Sequence, residues 1–250
     1  MENLARTSPP SARASAATGA LVARPGTLDA MLARMVEPYL HWIARSSAWA
    51  WTDVRGRFVD GSQVDPQLAS LTRRGQPFIL SYYIADALGV ATLGLMHVEF
   101  QRLMRGLRCL VDDTVAGRVS GAMIEHLGGR FALLPRPGDP DRLRGVHGVI
   151  RSGGSCAFPV DGGGPYRQVG TGIIGLAAAL NAVIVPLAVR VTPAVVFAPQ
   201  SRVRVPVPRC RAVAAMGDEI RVARGGDRRA TAAVLKHALD ELSAAVRHPS

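Results

Sequence analysis

Three kinds of side chain stand where they could do chemistry: two aspartates, a run of glycines and an arginine. Asp161, Gly162, Gly163, Gly164, Pro165 and Arg167 follow directly on an apolar run, Cys156 to Val160. An apolar run that stops at an acid and three glycines reads as a strand entering a loop. In open α/β sheets ligands bind beyond the carboxyl ends of strands, where such loops lie. Glycine lets backbone N–H groups approach an anion closely, and the guanidinium of Arg167 offers paired donors to it. Asp161 ends the strand and either acts on a bound ligand or forms the turn, a common use of aspartate. Asp86 interrupts an otherwise apolar stretch, Phe78 to Val98. There it either serves a site or caps a helix. Arg136 is a further candidate phosphate contact.

The elements that must hold these residues alternate in type. Pro77 to Ser81 reads as the first buried strand, followed by a helix from Ile84 to Met104 and a strand from Leu107 to Val111. Asp112-Asp113-Thr114 supplies capping chemistry for a helix from Val115 to Leu127, stopped by Gly128-Gly129. A strand from Phe131 to Leu134 and a helix from Asp141 to Ile150 precede the glycine loop. A helix of small residues from Thr171 then leads to a strand from Val183 to Val191. Ala194 to Phe197, Arg202 to Val207 and Arg211 to Met216 read as further strands bordered by prolines. Asp227 opens a last amphipathic helix whose apolar stripe is Leu235, Leu239, Leu242 and Val246. Nearer the start, Trp51 to Val59 reads as a strand or hairpin, Gly61 to Pro66 as a loop, and Leu68 and Leu71 as part of a short helix. This alternation predicts an α/β fold with a mostly parallel central sheet and helices on both faces.

Residues 1–26 are rich in Ser, Ala, Pro and Arg, which predicts a mobile tail. Residues 27–50 predict an amphipathic helix, with Leu28, Met31, Leu32, Met35, Val36, Leu40 and Ile43 at helical spacing and Pro38 expected to kink or split it. Trp42, Trp49 and Trp51 cluster near its end with Arg34 and Arg45. Such a helix either lies on a membrane interface or packs against the domain. Residues 51–250 form the α/β domain, without internal repeats.

The 250 residues are 48% hydrophobic, which excludes wholesale disorder, and carry a formal charge of +11. Lys236 is the only lysine, so arginine supplies nearly all the positive charge. That charge favours anionic partners: a phospholipid surface, a phosphate-bearing cofactor or nucleic acid. No RNP, zinc-finger or helix-turn-helix pattern is present, so nucleic acid is not expected. Cys109, Cys156 and Cys210 are widely spaced, which points to a reducing compartment without a disulfide framework or metal site. The N-terminus lacks a signal-peptide layout. Phe78 to Val98 is long enough to span a bilayer, but Ser81, Tyr82, Tyr83, Asp86 and His97 argue for a buried strand and helix instead. Gly153-Gly154-Ser155-Cys156-Ala157 lacks the Gly-x-Ser-x-Gly elbow of a hydrolase, and no Walker sequence follows a strand.

Four blocks in order resemble the lysophospholipid acyltransferase superfamily, and within it a poorly characterised bacterial branch. They are Gly75-Gln76-Pro77-Phe78-Ile79-Leu80-Ser81; Asp112 to Gly117 with Ile124-Glu125-His126-Leu127-Gly128; Phe158 to Pro165; and Gly172 to Val189. The resemblance spans roughly residues 50–225. It implies transfer of a fatty acyl group from acyl-CoA or acyl-carrier protein to a hydroxyl of a lysophospholipid or other amphiphilic acceptor. It implies no cofactor beyond that co-substrate, and a peripheral site on the anionic, cytoplasmic face of a membrane. In that family a His-x4-Asp motif supplies a histidine base and an aspartate that orients it. Here the matching place reads Ser81-Tyr82-Tyr83-Ile84-Ala85-Asp86, with serine in the histidine's position. No aspartate lies five residues on from His41, His97, His126, His147 or His237. A serine hydroxyl is no base near neutral pH without help, so the alternative is a degenerate relative that binds lipid or acyl thioester without turnover.

Overall fold

The protein is described here by a computed structural model covering residues 27–73, 75–126, 128–135, 139, 144–148, 155–162, 165–197 and 202–249. The expected tail at 1–26, the candidate phosphate contact Arg136, and Gly163 and Gly164 of the glycine loop lie outside the described residues. A central sheet organises everything else. Its strands are β1 (Ala48–Thr52), β2 (Phe58–Val59), β3 (Phe78–Tyr82), β4 (Arg108–Asp112), β5 (Arg130–Leu134), β6 (Cys156–Pro159), β7 (Val183–Phe197), β8 (Val203–Met216) and β9 (Ile220–Arg221). They lie in the order β2-β1-β8-β7-β3-β6-β4-β5, with β9 beside β7.

β3 is buried along its whole length, as a run that is apolar but for Ser81 predicts for a strand covered on both faces. It pairs in parallel with β6 and with β7, placing Ser81 between Phe158 and Pro186. Its side chains alternate between two cores. Leu80 and Tyr82 pack with Leu68 and Leu71 of α2 (Gly61–Arg73), Val90 and Leu93 of α3 (Ala87–Met96), and Phe100 and Leu103 of α4 (Val98–Gly106). Ile79 and Tyr83 face the opposite way. They pack with Ile173 and Ala177 of α6 (Thr171–Leu180) and Leu235 and Leu239 of α7 (Arg228–Ala245). Helices therefore cover both faces, α5 (Val115–His126) joining the first layer beside β4 and β5. Asp227 caps α7 by accepting N–H bonds from Arg229 and Ala230 at 2.8 and 3.2 Å.

The sheet departs from the sequence expectation in being mixed. Its centre, β7-β3-β6-β4-β5, is parallel, while β7 with β8, β7 with β9 and β1 with β2 are antiparallel. The prolines do not divide the C-terminal segments into short strands: two long ones, β7 and β8, form instead. Pro193 sits at a register shift between Thr192 and Ala194, and Pro206 and Pro208 precede Arg211, where β1 begins to pair with β8. At those places a missing N–H interrupts little.

Three further expectations are corrected. The segment Gly61 to Pro66 is the start of α2, because the Asp60 carboxylate takes the Ser62 hydroxyl at 2.8 Å and Val64, Leu68 and Leu71 share a buried face. The single helix Ile84 to Met104 is a 3-10 turn (Ile84–Asp86), α3 and α4. His97 breaks it by taking an extended backbone and accepting the Phe100 N–H at Nδ1, 3.3 Å away. Pro38 does not split α1 (Thr27–Ser46). The carbonyl it leaves free belongs to exposed Arg34, where water can serve it, while Leu40, Ile43 and Ala44 are buried on the other side. Among the described residues no helix is long and apolar enough to cross a membrane.

Candidate functional site

The connection from β3 into α3 carries Asp86 and meets the glycine loop. Asp161 follows β6 and is buried. Its two carboxylate oxygens accept the backbone N–H groups of Ile84 at 2.7 Å and Arg167 at 2.9 Å, so one side chain ties the loop to the β3–α3 link. Burial raises its pKa and the two amide bonds oppose that rise. The turn-forming role is thus realised. The Gly162 N–H donates to the Pro159 carbonyl at 3.2 Å, and Pro165 accepts from Gln168 in a second turn. The Gly162, Arg167 and Gln168 amides therefore bond within the loop, and its shape serves to place Arg167.

Arg167 has φ of +59°, a left-handed conformation that aims its side chain back across the sheet. Its guanidinium lies 4.7 Å from the centre of the Tyr83 ring and 3.0 Å from the Asp240 carboxylate of α7. Tyr83 donates its hydroxyl to the same Asp240 oxygen at 3.0 Å, and Lys236 pairs with the other. Burial and then the Asp240 carboxylate raise the Tyr83 pKa well above its ordinary value, so the phenol stays protonated and stays a donor.

Asp86 does not cap α3: its side chain makes no capping bond there. It turns instead toward the β7–β8 pair, where it forms an ion pair with Arg204 and accepts the Val189 N–H at 3.4 Å. Only 5% of its surface is exposed, and burial pushes its carboxyl up to about 6 against the pull of Arg204. Ser81 lies within β3, fully buried, with no hydrogen-bond partner for its Oγ. The structure therefore joins Asp86 to Arg204, and Asp161 to Arg167, and brings no hydrogen bond between Ser81 and Asp86. Among the described residues neither aspartate has a histidine partner. His97, on the predicted helix, caps α4, faces Asp65 at 3.5 Å and packs edge-on to Trp51. Among the described residues no group of three His, Cys, Asp or Glu side chains is arranged to hold a metal ion.

Two features were missed in the sequence. The first is an apolar groove of about 500 Å³ beyond the carboxyl ends of β3, β4 and β6, walled by α3, α4 and α5. Its lining includes Leu88, Ala91 and Gly94 of α3, Met104 of α4, Met123 of α5, and Pro159 with Gly162 at the loop. A pocket of this size is in the range that takes small organic ligands, about 300–1,000 Å³. Small residues open it: Ala87, Ala91 and Gly94 on α3, and Gly117 and Ser120 on α5. A Cβ on Gly117 would lie 1.9 Å from the Asp112 carbonyl oxygen, so glycine alone lets α5 start hard against the end of β4. The run of small residues was the available signal. The second feature is a polar pocket on the other side of the β3–α3 link, lined by Tyr83, Asp86 and four arginines. It shares no lining residue with the groove.

α1 connects the groove to the surface. Leu40 packs with Met123, Leu88 and Ala91, and the latter three also line the groove. The opposite face of α1 exposes Met31, Met35 and Trp42, at 59%, 73% and 54%. Arg34 and Arg45 stand exposed beside them.

No protein-family model matches this chain, and no curated protein does. Among solved structures it is similar to the 1-acyl-sn-glycerophosphate (LPA) acyltransferase PlsC from Thermotoga maritima. Identity is 12%, 86% of this chain and 79% of that chain are covered, and the TM-score is 0.48.

Proposed function

We propose that the protein is an acyltransferase-like protein that receives a fatty acyl chain in the groove between α3, α4 and α5. The acyl group arrives as a thioester of CoA or of a carrier protein, and the acceptor is a hydroxyl of a lysophospholipid or similar amphiphile. The observation that carries this reading is the groove itself. It is large, mostly apolar and open beyond the strand ends, and walled by two flexible methionine side chains and small helix residues. In transfer, the acceptor oxygen bonds to the thioester carbonyl carbon, the C–S bond breaks, and the hydroxyl proton passes by way of a base to the departing thiolate, which leaves as the thiol.

α1 fits the same reading. Its exposed Met31, Met35 and Trp42 form one stripe at helical spacing, bordered by Arg34 and Arg45. Such a face suits an anionic bilayer, apolar side chains entering the acyl region and guanidinium groups meeting phosphates. This reading puts the protein at the inner face of the cell membrane, with the groove supplied from the bilayer side and nucleic acid playing no part.

A second reading is binding without turnover, and a specific observation favours it. Asp86, which would orient a base in the related motif, is bound by Arg204 and the Val189 amide, and Ser81 is enclosed in the sheet. The test is incubation with labelled palmitoyl-CoA and lysophospholipid, beside Asp86→Ala and Ser81→His, with equilibrium binding measured in parallel. Transfer by the wild-type protein that Asp86→Ala abolishes supports catalysis. Binding without transfer, with activity gained in Ser81→His, supports the second reading. Failure to bind palmitoyl-CoA at all contradicts both.

A further inference from the structure

β7 and β8 run on past the rest of the sheet. β3 pairs with β7 only as far as Pro186, and β1 pairs with β8 only from Arg211 onward. Among the described residues no third strand lies beside residues 194–197 or 203–206, which pair only with each other. Successive side chains of a strand point to opposite faces. Val195 and Val196 are exposed at 59% and 60%, so this two-stranded arm bares apolar side chains on both faces. An isolated pair of strands is marginal in water, and such a surface calls for a cover.

The neighbours and charges of the arm point to what covers it. Tyr39 of α1 donates its hydroxyl to the Pro206 carbonyl. Tyr39 and Ala194 also pack against one cluster, which includes Ile43, Val191 and Cys210. On the helix surface Tyr39 lies four residues after Met35 and three before Trp42, so those two exposed side chains flank the contact with the arm. The apolar stripe of α1 and the arm therefore adjoin. Residues 194–197 and 202–209 contain no acid and three arginines. Arg204 is paired with Asp86, while Arg202 and Arg209 are exposed. A further protein strand is poorly served by the outer edge of β8. Pro206 and Pro208 offer no N–H there, and the Pro206 carbonyl is taken by Tyr39. Apolar side chains accompanied only by positive charge suit an anionic phospholipid surface instead.

We infer that the β7–β8 arm is a second membrane-contacting element, lying beside α1 in the interfacial layer of an anionic bilayer and holding the groove's mouth against it. This rests on the membrane-facing reading proposed above and names a further element that makes the contact. The unpaired backbone groups along the arm need water or phosphate partners, which keeps it at headgroup depth and out of the hydrocarbon centre. There Val195 and Val196 reach the upper acyl region and Arg202 and Arg209 meet phosphates. Both elements adjoin the groove: Val203, opposite Phe197 in the ladder, lines it, and Leu40 of α1 packs with its lining residues Leu88 and Ala91. An acyl chain leaving the bilayer between them enters the groove without crossing water.

The experiment uses the full chain, with Val195→Glu, the conservative Val195→Leu and Met35→Glu beside the wild type. A Val195→Cys protein carries the environment-sensitive fluorophore NBD, the three native cysteines being buried. Vesicles are phosphatidylcholine alone or with phosphatidylglycerol, with doxyl lipids as quenchers. Flotation with the anionic vesicles should fall roughly tenfold in Val195→Glu and persist in Val195→Leu. The probe at position 195 should brighten on anionic vesicles and be quenched more by doxyl groups near the headgroup than by deep ones. Because position 195 is exposed, the thermal midpoints should match the wild type. If Val195→Glu fails to fold, the fluorophore decides. A probe unchanged on vesicles that the protein binds through Met35 overturns the inference and leaves the α1 reading standing. No flotation by the wild type, with palmitoyl-CoA still bound, overturns the inference and the membrane reading together but not the groove. Equal brightening on phosphatidylcholine alone overturns the anionic assignment. A dimer in sedimentation that Val195→Glu dissociates, with flotation unchanged, assigns the arm to a second copy of this chain and overturns the inference as well.

Discussion

Replacement of Gly94 by leucine tests the groove with little risk to the fold. Gly94 lies in α3 and lines the groove, and a Cβ there would meet only Met104 Cγ, at 3.8 Å, an ordinary contact. A helical glycine replaced by a good helix former gains up to about 1 kcal/mol, so the variant should be at least as stable as the wild type. The groove's capacity follows from its volume. A methylene is close in size to a water molecule, whose share of liquid volume is about 30 Å³. A groove of about 500 Å³, filled with some packing loss, then holds a chain of about 15 carbons. Leucine at 94 places about four carbons in that space and should displace about four methylenes, costing a full-length chain about 3 kcal/mol, or roughly 200-fold in affinity. Acyl-CoA affinities measured from 8 to 18 carbons, below their micelle concentrations, should rise about fourfold per methylene in the wild type up to about 15 carbons. In Gly94→Leu the rise should stop about four carbons earlier, with short chains unaffected. A uniform loss at every chain length, or none at 16 carbons, would refute the reasoning.

Two other outcomes follow from the same structure. The folded pKa of Asp86, about 6, stands above the ordinary 3.8, so the folded state binds that proton more tightly than the unfolded state. Its stabilising effect is full below pH 4 and is lost as pH rises through 6. Compared with Asp86→Asn by urea denaturation, the wild type should lose on the order of 3 kcal/mol between pH 4 and pH 7. A relative gain over that range would mean that Arg204 outweighs burial. On α1, Met35→Glu should weaken flotation with anionic vesicles tenfold or more, since full burial of a methionine is worth about 1.5–3 kcal/mol. Wild-type binding should fall as salt screens Arg34 and Arg45. Unchanged flotation would place the exposed stripe outside any membrane contact.

What could be read from the sequence was local. The apolar residues of Pro77 to Ser81 predicted the first buried strand, and β3, shifted by one residue to Phe78–Tyr82, is buried throughout. The stripe Leu235, Leu239, Leu242 and Val246 predicted the buried face of α7, and all four are buried. The abrupt change at Asp161 located a turn after a strand, as found. What could not be read depends on distant pairing. Arg204 and Asp86 are 118 residues apart, and their meeting is set by the β7–β8 register, which alternating valines and prolines do not specify. The break at His97 was hidden because apolar spacing continues through it, and only the imidazole bond to the Phe100 N–H ends one helix and starts the next. The groove is a property of which side chains are small on two facing helices, α3 and α5, and periodicity reports faces rather than gaps.

The most direct test of the groove as the acyl site is photochemical labelling with a palmitoyl-CoA carrying a diazirine midway along its chain. Peptides identified after irradiation should fall in α3, α4 and α5, at residues such as Leu88, Met104 and Met123, and unlabelled palmitoyl-CoA should suppress them. Labelling concentrated at Val146, Ile173 and Leu176 on the opposite face of the sheet, or only on exposed α1, would contradict the account.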